Sequence, residues 1–338
     1  MLQYSRVCLD TFGYQLPPRI LASAEIENRL APLYERLRLT PGRLELMTGI
    51  QERRLWPRGT KPSEAAIMAG RNALDKGGWD PARIDCLIFT SVSRDMMEPA
   101  TASFVHLGLG LPPTCLIFDI SNACLGFLDG MVMLANMIEL GQVENGLVVS
   151  GETAEELLES TLETLVRDTS LSRKAIKPAF ASLTIGSGAI ALVMERAGAN
   201  ERRCRLVHGS WRASTVHSDL CHGNQHGART TLMETNSEEL MHRGVEAARQ
   251  TWQLFSSVPG WGGRISIGFS VIRSERPMRG CCSNASGSIA AKILKPWKGW
   301  ATSVRSPPRS RWPWRWSRRC SNRGRKRPCW GSGAASTA

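Results

Sequence analysis

A cysteine attacks a carbonyl carbon well when its surroundings favour thiolate, and Cys124 stands in such a setting. It falls between an apolar run ending at Ser121 and a second run opening near Leu125. The first, CLIFDIS over 115–121, reads as a buried strand. The second, LGFLDGMVMLANMIELG, reads as a helix apolar nearly all round, hence buried, and stopped at Gly141. A cysteine at that junction puts its sulfur at a helix N-terminus, where the dipole and unsatisfied N–H groups favour the anion. Its neighbours Ser121, Asn122, Ala123 and Gly126 are small, so a substrate carbonyl can come close. The Cys124 N–H is placed to supply half an oxyanion hole. The competing reading is a buried structural cysteine, the commoner state of a free thiol.

The elements that must hold this junction are legible in the first 260 residues. SEAAIMAGRNALDKGG spaces apolar residues three and four apart and ends in Gly77-Gly78, which predicts a helix with a stop signal. IDCLIFTSVS is a compact apolar run ending in small residues, a buried strand, and NGLVVSGET supplies another. ASLTIGSGAIALVME reads as two strand-like runs bent at Gly186-Ser187-Gly188. The Gly-rich GSG is better read as that bend than as a phosphate loop. Alternating strands and helices predict a layered α/β fold.

Charge divides the chain in two. Residues 261–338 hold 17 Lys/Arg and one acid, Glu275, whereas the first 260 hold 26 Lys/Arg and 29 acids. The formal charge of +13 therefore belongs to the tail, which also holds seven of the eleven tryptophans and none of the six histidines. Its text, SPPRSRWPWRWSRRCSNRGRKRP, has neither helical nor strand period. No apolar stretch is long enough to span a membrane, and MLQYSRVCLD is not a basic-then-apolar leader. Ten cysteines without a framework suit a reducing compartment, so a cytoplasmic location is expected.

DISNACLGFLDGM at 119–131 resembles the nucleophile segment of β-ketoacyl synthase III-like enzymes of the thiolase superfamily. So do GIQERRLW at 49–56, SVSRDMMEPATAS at 91–103 and FASLTIGSGAIALVME at 180–195. The MEPATAS and LCHGN segments resemble the head-to-head acyl-condensing, OleA-type branch. ELMTGI at 45–50 lacks the Trp and Arg that a CoA-priming synthase III carries before its GI motif. The resemblance implies a five-layer αβαβα fold of two similar halves and a homodimer. It implies that a cysteine, here Cys124, takes an acyl group from acyl-CoA or acyl carrier protein. A carbanion from a second thioester then attacks it in a Claisen condensation, with no cofactor. Glu98 matches a branch glutamate that reaches the partner subunit's site as a base, and removing an α-proton requires a positioned acceptor. A solvated loop carboxylate before Pro99 is the equal alternative.

The same family carries a histidine in a C-H-Q-V-like motif and an asparagine in a G-N-x-G-S-like motif. Both stabilise enolate or oxyanion charge. Residues 268–276 read GFSVIRSER and 299–306 read GWATSVRS, so neither motif is present where expected. The composition break suggests a frame change in the gene, and the genetic code can test it. Read from each codon's third base, Cys329-Trp330 must give Leu and Trp330-Gly331 must give Gly. Onward to Ala338 the permitted residues include I-G-S-G-I-N-C, the family's terminal strand and loop. The same shift over Ser270–Arg276 permits C-H-Q-V-G-A, and over Trp300–Arg305 it forces Gly and permits N-I-G-S. Three motifs in order in one alternate frame point to a frame change near Trp261–Arg264, arising from sequencing error or from a true pseudogene.

The expected organisation is thus a thiolase-like first half over 1–200, the start of a second half over 201–260, and an out-of-frame, disordered tail over 261–338. The second half is incomplete. His217, Cys221, His222 and His226 form H-x3-C-H-x3-H, a possible zinc set. A matching loop in the resembled family needs no metal, and none is expected. The tail's Arg/Trp pattern could bind nucleic acid or an anionic membrane surface, but a wrong-frame tail would do so by accident. The expected function is condensation of fatty acyl thioesters, impaired by loss of the His and Asn. The alternatives are a catalytically dead dimer partner and a basic nucleic-acid-binding protein.

Overall fold

The computed structural model describes residues 2–198, 204–226 and 230–257. Along the chain run β1 (Leu2–Gln3), β2 (Val7–Gln15), β3 (Arg19–Ala22), α1 (Ser23–Arg29), α2 (Ala31–Arg36), α3 (Arg43–Thr48), β4 (Glu52–Leu55) and α4 (Pro62–Gly77). Then come β5 (Cys86–Thr90), α5 (Thr101–Leu109), β6 (Leu116–Ile120), α6 (Gly126–Glu139), β7 (Asn145–Glu152), α7 (Glu155–Arg167) and β8 (Gly188–Arg196). The described chain closes with β9 (His208–Gly209), β10 (Cys221–His226), β11 (Thr230–Thr235) and α8 (Ser237–Ser256).

Five strands form the central sheet in the order β2-β8-β7-β5-β6. β6, β5 and β7 are mutually parallel, while β8 runs antiparallel to β7 and β2. Both faces are covered, which is why these strands read as unbroken apolar runs. Leu87, Phe89, Leu147 and Val149 point to one face and pack on Ala65, Ala69 and Ala73 of α4 and Val105 of α5. Cys86, Ile88 and Val148 point to the other and pack on Leu134, Ala135 and Ile138 of α6. The result is a three-layer αβα unit, the first half of the expected architecture. A third cluster joins α1, α2 and α7 through Ile26, Leu30, Leu33, Leu158, Leu162 and Leu165.

The alanine-rich face of α4 lets it lie unusually close to the sheet. A Cβ at Gly13 would fall 2.3 Å from the Ala73 nitrogen, and one at Gly151 would fall 2.1 Å from the Pro62 carbonyl oxygen. Both obstacles are backbone, so no side chain can swing away. We expect Gly151→Ala to lower unfolding free energy by about 2 kcal/mol, in the range of core overpacking. Urea titration checks this, and an unchanged midpoint would show that α4 does not ride on the sheet this closely.

Two expectations about elements are corrected. The 180–185 run is a 3-10 helix, Lys177–Thr184, and only the run after the glycine bend is a strand. Pro178 stands at its start, and the Thr184 hydroxyl donates back to the Ala181 carbonyl, so local hydrogen bonding overrides the strand-like letters. α6 is not buried all round either: Gly130, Leu134, Ala135 and Ile138 form its buried stripe, whereas Leu128 and Met133 are exposed. The sheet it covers meets one face only.

After β8 the chain returns to the first half. β9 pairs with β1, and the Leu9 N–H donates to the Cys204 carbonyl. The antiparallel β10–β11 hairpin and the 20-residue α8 come next along the chain. The basic Arg/Trp tail, its frame-change signature and the positions expected for the His and Asn motifs lie outside the described residues. Among the described residues no helix is long and apolar enough to cross a membrane.

Candidate active site

β5 and β6 are adjacent and parallel, so their C-terminal ends emerge side by side. β5 leads into the loop 91–100 that carries Glu98, and β6 leads into the Cys124 turn. The topology thus brings the two candidate residues to one edge of the sheet. Both are exposed.

Cys124 stands two residues before the first residue of α6, with Leu125 as the N-cap. Ala123 is left-handed, φ 45°. The Leu125 N–H donates to the Asn122 carbonyl at 2.9 Å, closing the turn. Gly130 seats α6 against the end of β5, since a Cβ there would lie 2.6 Å from Thr90 Cγ2. The expected strand–turn–helix arrangement around Cys124 is present in the backbone. The buried-structural reading of this cysteine does not hold, because the residue is exposed.

Carboxylates fasten the Glu98 loop at three places. Glu152, at the end of β7, accepts from the Val92 N–H at 3.0 Å and from the Ser93 hydroxyl at 2.9 Å. Asp95 accepts from the Ser63 N–H at 2.9 Å and its hydroxyl at 2.6 Å, at the start of α4. Asp119, on β6, accepts from the Thr101 and Ala102 N–H groups, each at 2.8 Å. Ala100 at the N-cap of α5 has no side-chain acceptor, so Asp119 caps that helix from another strand. Between these clamps Met96, Met97, Glu98 and Pro99 project exposed, and the Glu98–Pro99 peptide is cis. The Glu98 carboxylate makes no hydrogen bond among the described residues.

These clamps were missed in the sequence. Asp119 left a trace, being an acid inside the apolar run CLIFDIS. Two buried residues of the GIQERRLW motif make hydrogen bonds that hold neighbouring elements. Arg53 is buried and donates to the Leu21 carbonyl and the Ser23 hydroxyl, and burial pushes its guanidinium down to about 10. Trp56 Nε1 donates to the Glu152 carbonyl at 3.1 Å, behind the Glu98 loop.

The zinc candidates are spread along a 3-10 helix and a hairpin. His217 lies in the helix Thr215–Leu220, and Cys221 and His222 lie on β10. His222 Nε2 is 3.6 Å from Glu234, and Cys221 Sγ is 3.4 Å from the Thr235 hydroxyl. No metal-binding group of three or more such side chains forms among the described residues.

Thiol reactivity separates the site from the core. Burial, then the charges of Cys115 and Asp85, pushes the Cys86 thiol up to about 12. Burial, then Asp85, pushes Cys115 up to about 11 against a backbone hydrogen bond from Leu87. At neutral pH iodoacetamide should therefore modify Cys124 fastest and leave Cys86 and Cys115 intact until the protein unfolds. Peptide mass mapping over time reads this. Early loss of Cys86, or a Cys124 slower than exposed Cys204 and Cys221, would contradict the assignment.

A mixed sheet layered between helices, with β8 antiparallel to its parallel neighbours, matches a thiolase-like fold. The comparisons with known proteins agree. The family description "3-Oxoacyl-[acyl-carrier-protein (ACP)] synthase III" matches residues 118–214. An acyl-CoA:acyl-CoA alkyltransferase of Shewanella oneidensis is 39% identical, over 77% of this chain and 76% of that protein. A Xanthomonas campestris protein of the same name is 36% identical, over 82% and 80%. A crystal structure of a glutamate variant of Xanthomonas campestris OleA superposes with a TM-score of 0.77 at 34% identity, covering 84% of this chain and 82% of that one. A cysteine variant of that OleA, solved with bound lauric acid and lauroyl-CoA, gives 0.71 at 37% identity, covering 77% and 75%. The chain belongs to the OleA-type acyl-CoA:acyl-CoA alkyltransferase family of the thiolase superfamily. By lineage it is an acyltransferase, a Claisen-condensation enzyme acting on acyl thioesters.

Proposed function

We propose that Cys124 takes a fatty acyl group from a thioester, and that this chain as written stops there. The Cys124 thiolate attacks the thioester carbonyl, the tetrahedral oxyanion forms against the Cys124 N–H, and the CoA or carrier-protein thiolate leaves. The C–S bond to Cys124 forms first, and collapse of the oxyanion then breaks the C–S bond to the carrier. The observation that carries this reading is the exposed cysteine on a left-handed turn at the start of α6. Lauroyl-CoA bound to the OleA relative supports long-chain acyl-CoA as the donor.

In the complete reaction Glu98 serves as the proton acceptor for the second thioester, on an arm held by Glu152, Asp95 and Asp119. Its projection away from the body suits action across a homodimer. β6 is an unpaired sheet edge among the described residues, and Leu116 upon it is 48% exposed, which favours pairing with a second copy. The family's enolate-stabilising His and Asn are absent from the text of 268–276 and 299–306, so carbon–carbon bond formation fails. The protein acts in the cytoplasm, in fatty acid or long-chain olefin synthesis. Incubation with a long-chain acyl-CoA followed by peptide mapping tests the reading. Acyl adducts at other positions, with Cys124 unmodified, would reject it.

A further inference from the structure

The turn that presents Cys124 is held in a conformation its own residues disfavour. Ala123 has φ 45°, in the left-handed region where a Cβ crowds the backbone. Such a residue persists only where its surroundings over-determine it. Burial does not do so here, because Ser121, Asn122, Ala123, Cys124 and Leu125 are all exposed. Polar contacts are what remain, beginning with the Leu125 N–H to Asn122 carbonyl bond that closes the turn. The Asn122 side-chain amide donates to Asp129 Oδ2 at 2.5 Å, reaching from the strand side of the turn to the first turns of α6. Asp129 is fixed in turn, since its N–H donates to the Leu125 carbonyl at 3.0 Å and the adjoining Gly130 seats the helix on Thr90. On the other side Asp119 anchors the end of β6 to α5. The segment 120–126 is therefore pinned at both ends and braced across its middle.

We propose that Asn122 and Asp129 are positioning residues of the acyl-transfer step. Their hydrogen bond keeps Ala123 left-handed and so keeps the Cys124 sulfur at the N-terminus of α6. Neither touches the reacting atoms. The bond acts by geometry rather than by the Asp129 charge, because a carboxylate beside a thiol would by itself oppose thiolate. This deepens the acyl-transfer reading and rests on it.

The test uses the full 338-residue chain and two probes. One is iodoacetamide, which reports Cys124 placement with no acyl substrate; the other is transfer from a long-chain acyl-CoA. Asn122→Ala, and from the acceptor side Asp129→Ala, should lower both rates at Cys124 about tenfold while urea midpoints stay within the wild-type range. Asp129→Asn should react within about twofold of wild type, since its amide oxygen accepts the same bond. Adding Ala123→Gly to Asn122→Ala should restore both rates, because glycine adopts the left-handed turn without a brace. A merely structural contact would show no such rescue. Wild-type alkylation in both alanine variants would overturn the proposal. So would an Asp129→Asn variant as impaired as Asp129→Ala, or failure of the glycine to rescue. If the alkylation pattern holds and acyl-CoA modifies no form at Cys124, the positioning assignment stands and the acyl-transfer reading falls.

Discussion

Replacing Cys124 with alanine should abolish acyl transfer from a long-chain acyl-CoA, by about three orders of magnitude or more. No other described cysteine can replace it. Cys8, Cys86 and Cys115 are buried, and neither Cys204 nor Cys221 directly precedes a helix. Because Cys124 is exposed, losing its sulfur removes little packing, and the unfolding free energy should change by less than about 0.5 kcal/mol. The two measurements belong together: intact mass after incubation with acyl-CoA, and urea unfolding of the same sample. Persistent acylation in a stable Cys124→Ala protein would show that another nucleophile does the chemistry.

On the frame-change reading, a gene corrected after Trp261 should give β-keto product from two acyl thioesters, and the 338-residue chain should give none above background. Acylation needs mainly the thiolate and an oxyanion donor. Condensation also needs the histidine and asparagine that stabilise enolate charge, and losing one such donor typically costs about 100- to 1000-fold in rate. Losing both, with the glycine-rich terminal loop, should leave activity below detection. In the frame-corrected protein Cys124→Ala should abolish product. Glu98→Gln should lower condensation about 100-fold or more while sparing acylation, since proton removal enters only the second half-reaction. Robust condensation by the present chain would mean that other residues supply the missing groups, and the frame-change account of inactivity would be wrong.

Local pattern carried much of this. α4 was legible from its three-and-four spacing and its Gly77-Gly78 stop, and Gly78 is left-handed there, φ 66°. β5 and β7 were legible as apolar runs because a strand buried on both faces needs no alternation. Letters misled where one side chain's local bonding or a helix's outward face decided the outcome, as in Lys177–Thr184 and in α6. Apolar composition states what can be buried, and the neighbouring layers decide what is.

The sequence by itself singled out Cys124 as the candidate nucleophile, its place between a strand and a helix, and the change in composition near Trp261. These are properties of adjacent letters and of composition. Tertiary structure alone decided how the site is braced. Asp119 caps a helix that begins 18 residues earlier, and Glu152 holds amides about 60 residues away. Those partners meet only because β7, β5 and β6 lie side by side and parallel, which puts residues 91–101, 119–124 and 152 at one end of the sheet. Strand order is fixed by packing both faces of the sheet at once, and a carboxylate's choice of amide follows from that order rather than from its own neighbours in the chain.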